Sequence, residues 1–156
     1  MVGRQLGSGR YYFEDVEAGD TIETGSVMID TAHIDRFAEL TGDRFEIHMS
    51  EEGAARHGFP NRVAHGLLVL SLVDGLKNQA PAQFAAVASL GWDWKFAGPV
   101  FPGDTIRAVL TVAGKRETQR PDRGILTIDF SVLDQDSRIV QSGTNTLMIL
   151  RRMDKD

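Results

Sequence analysis

The chain has 156 residues, 42% of them hydrophobic and 25% charged, a size and balance that predict one globular domain with a core of its own. A formal charge of -5 sets the overall field against polyanions, so nucleic acid is not an expected partner. The absence of cysteine excludes a disulfide framework, a thiolate nucleophile and sulfur-ligated zinc together.

Residues 1–10, rich in glycine, read as a flexible N-terminal arm, and residues 11–152 as a single domain opening at Tyr11-Tyr12-Phe13. The N-terminus lacks the apolar centre of a secretory signal, and no apolar run reaches the roughly 20 residues of a membrane span. A cytoplasmic location without membrane association is therefore expected. After a turn at Gly19-Asp20, residues 21–29 read as a strand. Asp30 is placed to cap a helix over residues 31–40, with Ile34, Phe37, Ala38 and Leu40 near helical spacing and Thr41-Gly42 ending it. Ser50, followed by Glu51, Glu52 and Gly53, caps a further helical turn through Arg56.

Residues 63–77 have helical length and almost no polar side, which predicts a helix surrounded by other structure. From residue 85 onward the pattern changes to strands, at 85–96, 105–119, 124–133 and 138–150, separated by turn-forming clusters such as Pro102-Gly103-Asp104 and Asp134-Gln135-Asp136-Ser137. Ile128, Phe130 and Val132 alternate with polar residues, so one face of this antiparallel meander points inward. A sheet apolar on one face and a helix apolar all round have a simple joint solution, the sheet curving around the helix. The fold class expected is α+β.

Three segments carry the chemistry. Asp43 and His48 stand five residues apart in Thr-Gly-Asp-Arg-Phe-Glu-Ile-His, a carboxylate and an imidazole able to share one water. Ala64-His65-Gly66-Leu67-Leu68 brings a glycine amide to the start of an apolar helix, where unpaired N–H groups and the helix dipole favour developing negative charge. Phe96-Ala97-Gly98-Pro99-Val100-Phe101-Pro102-Gly103-Asp104-Thr105 is the third. In this order the segments resemble the MaoC-like hydratases, the (R)-specific enoyl-CoA hydratase branch of the hotdog fold, over about residues 13–150. The resemblance implies a hotdog with the long helix as its sausage, usually dimeric. It also implies reversible hydration of 2-enoyl-CoA thioesters to 3-hydroxyacyl-CoA, with no cofactor beyond the coenzyme A that the substrate carries. Asp43 and His48 are then the catalytic pair, Gly66 the oxyanion donor, and Ala64, His65 and Leu67 substrate-binding residues. Where the family commonly has Asn-Pro between the two catalytic positions, this chain has Phe45-Glu46, which removes a fixed φ and adds an acid.

Other readings of the same residues stand beside these. Asp43 also suits a turn aspartate bonding its own backbone, and His65 a structural role at the helix start. His33 and His57 read as surface residues. A zinc site from Asp43, His48, His57 and His65 matches no standard ligand spacing, and no metal is expected. Trp92, Trp94 and Phe96 share a strand face and read as core packing against the helix, or in one case as lining an acyl pocket. Arg116, Arg120, Arg123, Arg151 and Arg152 read as solvated charges, with contact to coenzyme phosphates as the alternative. At the level of function, thioester hydrolysis and a non-catalytic acyl-CoA-binding module are the competing expectations.

Overall fold

The computed structural model describes residues 3–153. Five strands form one antiparallel sheet in the order β2-β5-β6-β7-β4, where β2 is Thr21–Met28, β4 Ala86–Phe96, β5 Thr105–Glu117, β6 Arg123–Leu133 and β7 Ile139–Leu150. The inward positions expected from alternation are buried: Ile106, Ala108 and Leu110 on β5, and Ile128, Phe130 and Val132 on β6. Register irregularities in β2, β4 and β5 bend the sheet, as extra residues on one strand of a pair do. Its concave face holds Leu68, Val69 and Val73 of the long helix α4, Gly66–Gln79. This is the hotdog arrangement.

Helix α1, Thr31–Thr41, begins where Asp30 accepts from the His33 amide at 2.9 Å and the Asp30 amide donates to His33 Nδ1 at 3.0 Å. His33 is thus half of a reciprocal cap. The helix stops at Gly42, whose φ of 79° is open to glycine at little cost and whose amide closes back on the Ala38 carbonyl at 2.8 Å. Two short helices come next, α2 at Glu46–Met49 and α3 at Glu51–Ala55, the second capped by Ser50, which accepts from the Gly53 amide at 2.9 Å.

Three expectations need correction. The long helix begins at Gly66 and not at Val63, because the Val63 and Ala64 amides are already committed to the Ile47 and Val100 carbonyls, at 2.9 and 2.8 Å. Nor is it surrounded: Leu67 is 58% exposed and Ser71 and Asn78 are exposed too, since a five-stranded sheet covers only one side of it. Residues 3–10, expected as part of a loose arm, are held down. The Leu6 amide donates to the Thr21 carbonyl at 2.8 Å, Thr21 returns a bond to Arg4 at 2.9 Å, and Leu6 is buried. Strand β1, Gly9–Tyr11, then pairs in parallel with β3, Ala82–Phe84. Met1 and Val2 of that arm lie outside the described residues.

Candidate active site

Asp43, His48 and His65 meet where the loop after α1, helix α2 and the lead-in to α4 converge, with one ligand-type atom of each within 4.8 Å of the others. His48 comes from a four-residue helix, and its Nδ1 lies 2.6 Å from the Val63 carbonyl. A carbonyl only accepts, so Nδ1 carries the proton and Nε2 keeps its lone pair. His65 Nε2 likewise donates to the Asp43 main-chain carbonyl at 2.9 Å, which leaves its buried Nδ1 without a partner. The two imidazoles stack at 3.9 Å between centroids, with Phe37 tilted against the outer face of His65 at 4.9 Å.

Burial pushes the His48 pKa below its ordinary value of 6.5; the bond to Val63 works against that shift, His65 adds to it, the Asp43 carboxylate opposes it and Arg62 adds to it again. Neutral imidazole is the favoured form. Asp43 is exposed, and its Oδ1 accepts from the Phe45 amide at 3.2 Å, so it is a turn aspartate and a neighbour of His48 together. The two readings do not exclude each other, because the turn occupies a single carboxylate oxygen. The same three groups are close enough to share a cation. The two rings are tilted 27° from one another.

Beside this cluster lies a cavity of about 310 Å³, lined among others by His48, Phe59, Ala64, Gly66, Phe96 and Gln141. Gly66 is the first residue of α4, so its amide belongs to the group without intrahelical acceptors, at the positive end of a 14-residue helix. A side chain at this position would have to displace the Phe96 ring, since a Cβ would sit 2.7 Å from it. Leu67, expected to touch substrate, is not among the cavity-lining residues, because one helical step turns it away from the sheet toward solvent.

The aromatic trio divides. Trp92 and Trp94 pack edge-on against Phe130 and each other, while Phe96 is 57% exposed and closes the cavity over Gly66. Gln141 and Arg62 escaped the sequence reading. Buried Gln141 donates to the Gly66 carbonyl at 3.1 Å and accepts from Trp94 Nε1 at 2.8 Å, tying the helix start to the sheet. A polar side chain at even spacing from the inward-facing Leu147 and Ile149 was the available signal. Arg62 donates through Nε to the His48 carbonyl at 2.6 Å. Glu46, the added acid, turns outward to pair with Arg56 and His57 at 2.7 and 2.6 Å. The C-terminal arginines are paired as well, Arg151 with Glu14 and Glu117 and Arg152 with Asp15. They sit at the other end of β7 from Gln141, about 30 Å away at strand rise, and do not reach the cavity.

The family model "MaoC like domain" matches residues 14–131. The chain belongs to the MaoC-like domain family. Protein MaoC of Klebsiella aerogenes is 38% identical over 115 residues, covering 73% of this chain and 33% of that protein. A 3-hydroxybutyryl-CoA dehydratase of Methylorubrum extorquens is 40% identical over 103 residues, 65% of this chain and 64% of that one. The chain thus spans less than two thirds of the length of either curated relative. Among solved structures, the MaoC-like dehydratase of Rhodospirillum rubrum superposes with a TM-score of 0.85 at 26% identity, covering 92% of this chain and 99% of that chain.

Proposed function

We propose that this MaoC-like domain adds water reversibly to 2-enoyl-CoA thioesters, giving 3-hydroxyacyl-CoA. The observation that carries the reading is that His48 and Gly66, the first residue of α4, line one cavity while Asp43, outside that lining, stands beside His48. The His48 tautomer defines a division of labour. With Nδ1–H given to Val63, both Nε2 and the free oxygen of Asp43 are acceptors, so a water between them donates its two hydrogens and turns a lone pair toward C3 of the acyl chain. As the C3–O bond forms, one water proton passes to the pair. C2 receives a proton from the same two groups, and the charge developing on the thioester oxygen meets the Gly66 amide. His65 holds the Asp43 backbone in place, and Ala64 forms part of the cavity wall. The reaction needs no cofactor beyond the coenzyme A of the substrate.

The working unit in this proposal is a homodimer. An isolated chain leaves Leu67 on the outer side of α4, and Val87 and Leu90 on the unpaired edge strand β4, open to solvent, which a second copy would cover. The deciding experiment offers purified protein a panel of straight, branched and dicarboxylic enoyl-CoA thioesters, tracking loss of conjugation and release of free thiol in parallel. Hydration removes conjugation without liberating coenzyme A. Thiol release instead would make the protein a thioesterase, and binding without either reaction would make it an acyl-CoA-binding module.

A further inference from the structure

The catalytic imidazole proposed above sits on a helix too short to hold itself. Helix α2 has four residues, and an isolated turn of that length is unstable because its backbone is fixed for almost no hydrogen bonds in return. Its anchors come from the extended segment 61–64. The Val63 amide donates to the Ile47 carbonyl at 2.9 Å, His48 Nδ1 donates to the Val63 carbonyl at 2.6 Å, and Arg62 Nε donates to the His48 carbonyl at 2.6 Å. The Arg62 side chain is 14% exposed, and its Nη2 reaches Asp35 on α1. Its own amide donates to Asn61 Oδ1 at 2.7 Å.

We infer that Arg62 is a positioning residue for His48, its planar fork locking the main chain that carries the imidazole to helix α1. This rests on the hydration reading of the site. The fork matters because Nε and Nη2 point to two acceptors on different elements, one the carbonyl of the residue being positioned and the other a carboxylate that fixes the guanidinium plane. A lysine has one nitrogen and cannot serve both in this geometry. Holding His48 from its carbonyl side and from Nδ1 at once leaves only Nε2 free on a residue that lines the cavity.

Arg62 also bears on the charge state of His48, together with His65 from the lead-in to α4 and Asp43 from the loop after α1; the Glu46–His57 pair also neighbours Phe45. Two consequences can therefore be separated. Arg62→Met removes fork and charge, whereas Arg62→Lys keeps the charge and loses the fork.

The test combines steady-state kinetics on an enoyl-CoA with a ¹⁵N–¹H titration of the His48 ring in the full chain. In wild type the ring is expected as the Nδ1–H tautomer. Arg62→Met is expected to lower kcat by about tenfold to a hundredfold, with KM changed by no more than about twofold, to raise the His48 pKa and to mix its tautomers. Arg62→Lys loses a similar part of kcat with the His48 titration nearly unmoved. Should Arg62→Met fail to fold, Asp35→Asn carries the question, since it keeps the arginine and frees its plane; mixed tautomers there support the proposal. Wild-type tautomer and titration in folded Arg62→Met, a wild-type tautomer in folded Asp35→Asn, or a loss of thermal stability with kcat per folded molecule intact, overturns it. If the wild-type protein hydrates no enoyl-CoA, the functional reading falls, and the ring titration alone then decides what Arg62 does.

Discussion

The difference between a surface histidine and a candidate general base is visible in the two imidazoles that neighbour Phe45. His57 Nε2 bonds the Glu46 carboxylate at the surface, while His48 gives its Nδ1 proton to a buried carbonyl and keeps a neutral ring with one lone pair to offer. Replacing His48 by Gln or Asp43 by Asn should lower kcat/KM for enoyl-CoA by a factor of about a hundred or more, with the circular dichroism spectrum unchanged. Because burial depresses the His48 pKa, the acid limb of the kcat/KM profile should fall below 6.5, and it should vanish from the pH profile of the residual activity in His48→Gln. Linkage sets the sign for stability. The unfolded chain binds this proton more readily than the folded one, so the contribution is complete above pH 6.5 and is lost as pH falls through the depressed folded value; denaturant titrations from pH 7.5 to 5 in wild type and His48→Gln measure it. Asp43 and His48 were legible because both lie in one eight-residue stretch. Arg62 was not, since its partners His48 and Asp35 lie 14 and 27 residues away and nothing in the local pattern marks them.

At the scale of elements, strands were easier to place than the starts of helices. The strand limits expected for β4 to β7 fall within two residues of those observed, because turn clusters and two-residue alternation mark both the ends and the faces. The start of α4 was placed three residues early. Val63, Ala64 and His65 look as helical as the residues of α4 itself, and only the tertiary bonds of Val63 and Ala64 pull them out of the helix. That displacement makes Gly66, which lines the cavity, the first residue of the helix. Helix α2 went unseen for the reason that makes it interesting: four residues carry no periodicity. Gly66→Ala should test the helix start directly. The new methyl meets the Phe96 ring at 2.7 Å, so thermal unfolding should report a loss of about 1–3 kcal/mol, with kcat falling further than stability explains. Pairing it with Phe96→Leu should restore most of the stability, which would identify the ring as the obstacle.

For the whole molecule, the curved sheet and its helix were readable in advance because a one-faced meander and an apolar helix leave few other solutions. What escaped was how incomplete that solution is in one chain. Strand β4 runs for eleven residues with one edge unpaired, and Leu90 on it is 51% exposed. If a second copy covers this edge, size-exclusion chromatography should return twice the chain mass of 17.2 kDa, and Leu90→Lys should shift the protein toward the monomer. Among the described residues no helix is long and apolar enough to cross a membrane, so these apolar side chains are not part of a helical span. The uncovered edge has a practical corollary for the bench. Mass action would make protomer concentration a hidden variable in every assay, with specific activity declining on dilution as the side of α4 next to Gly66 loses its neighbour, and recovering on concentration.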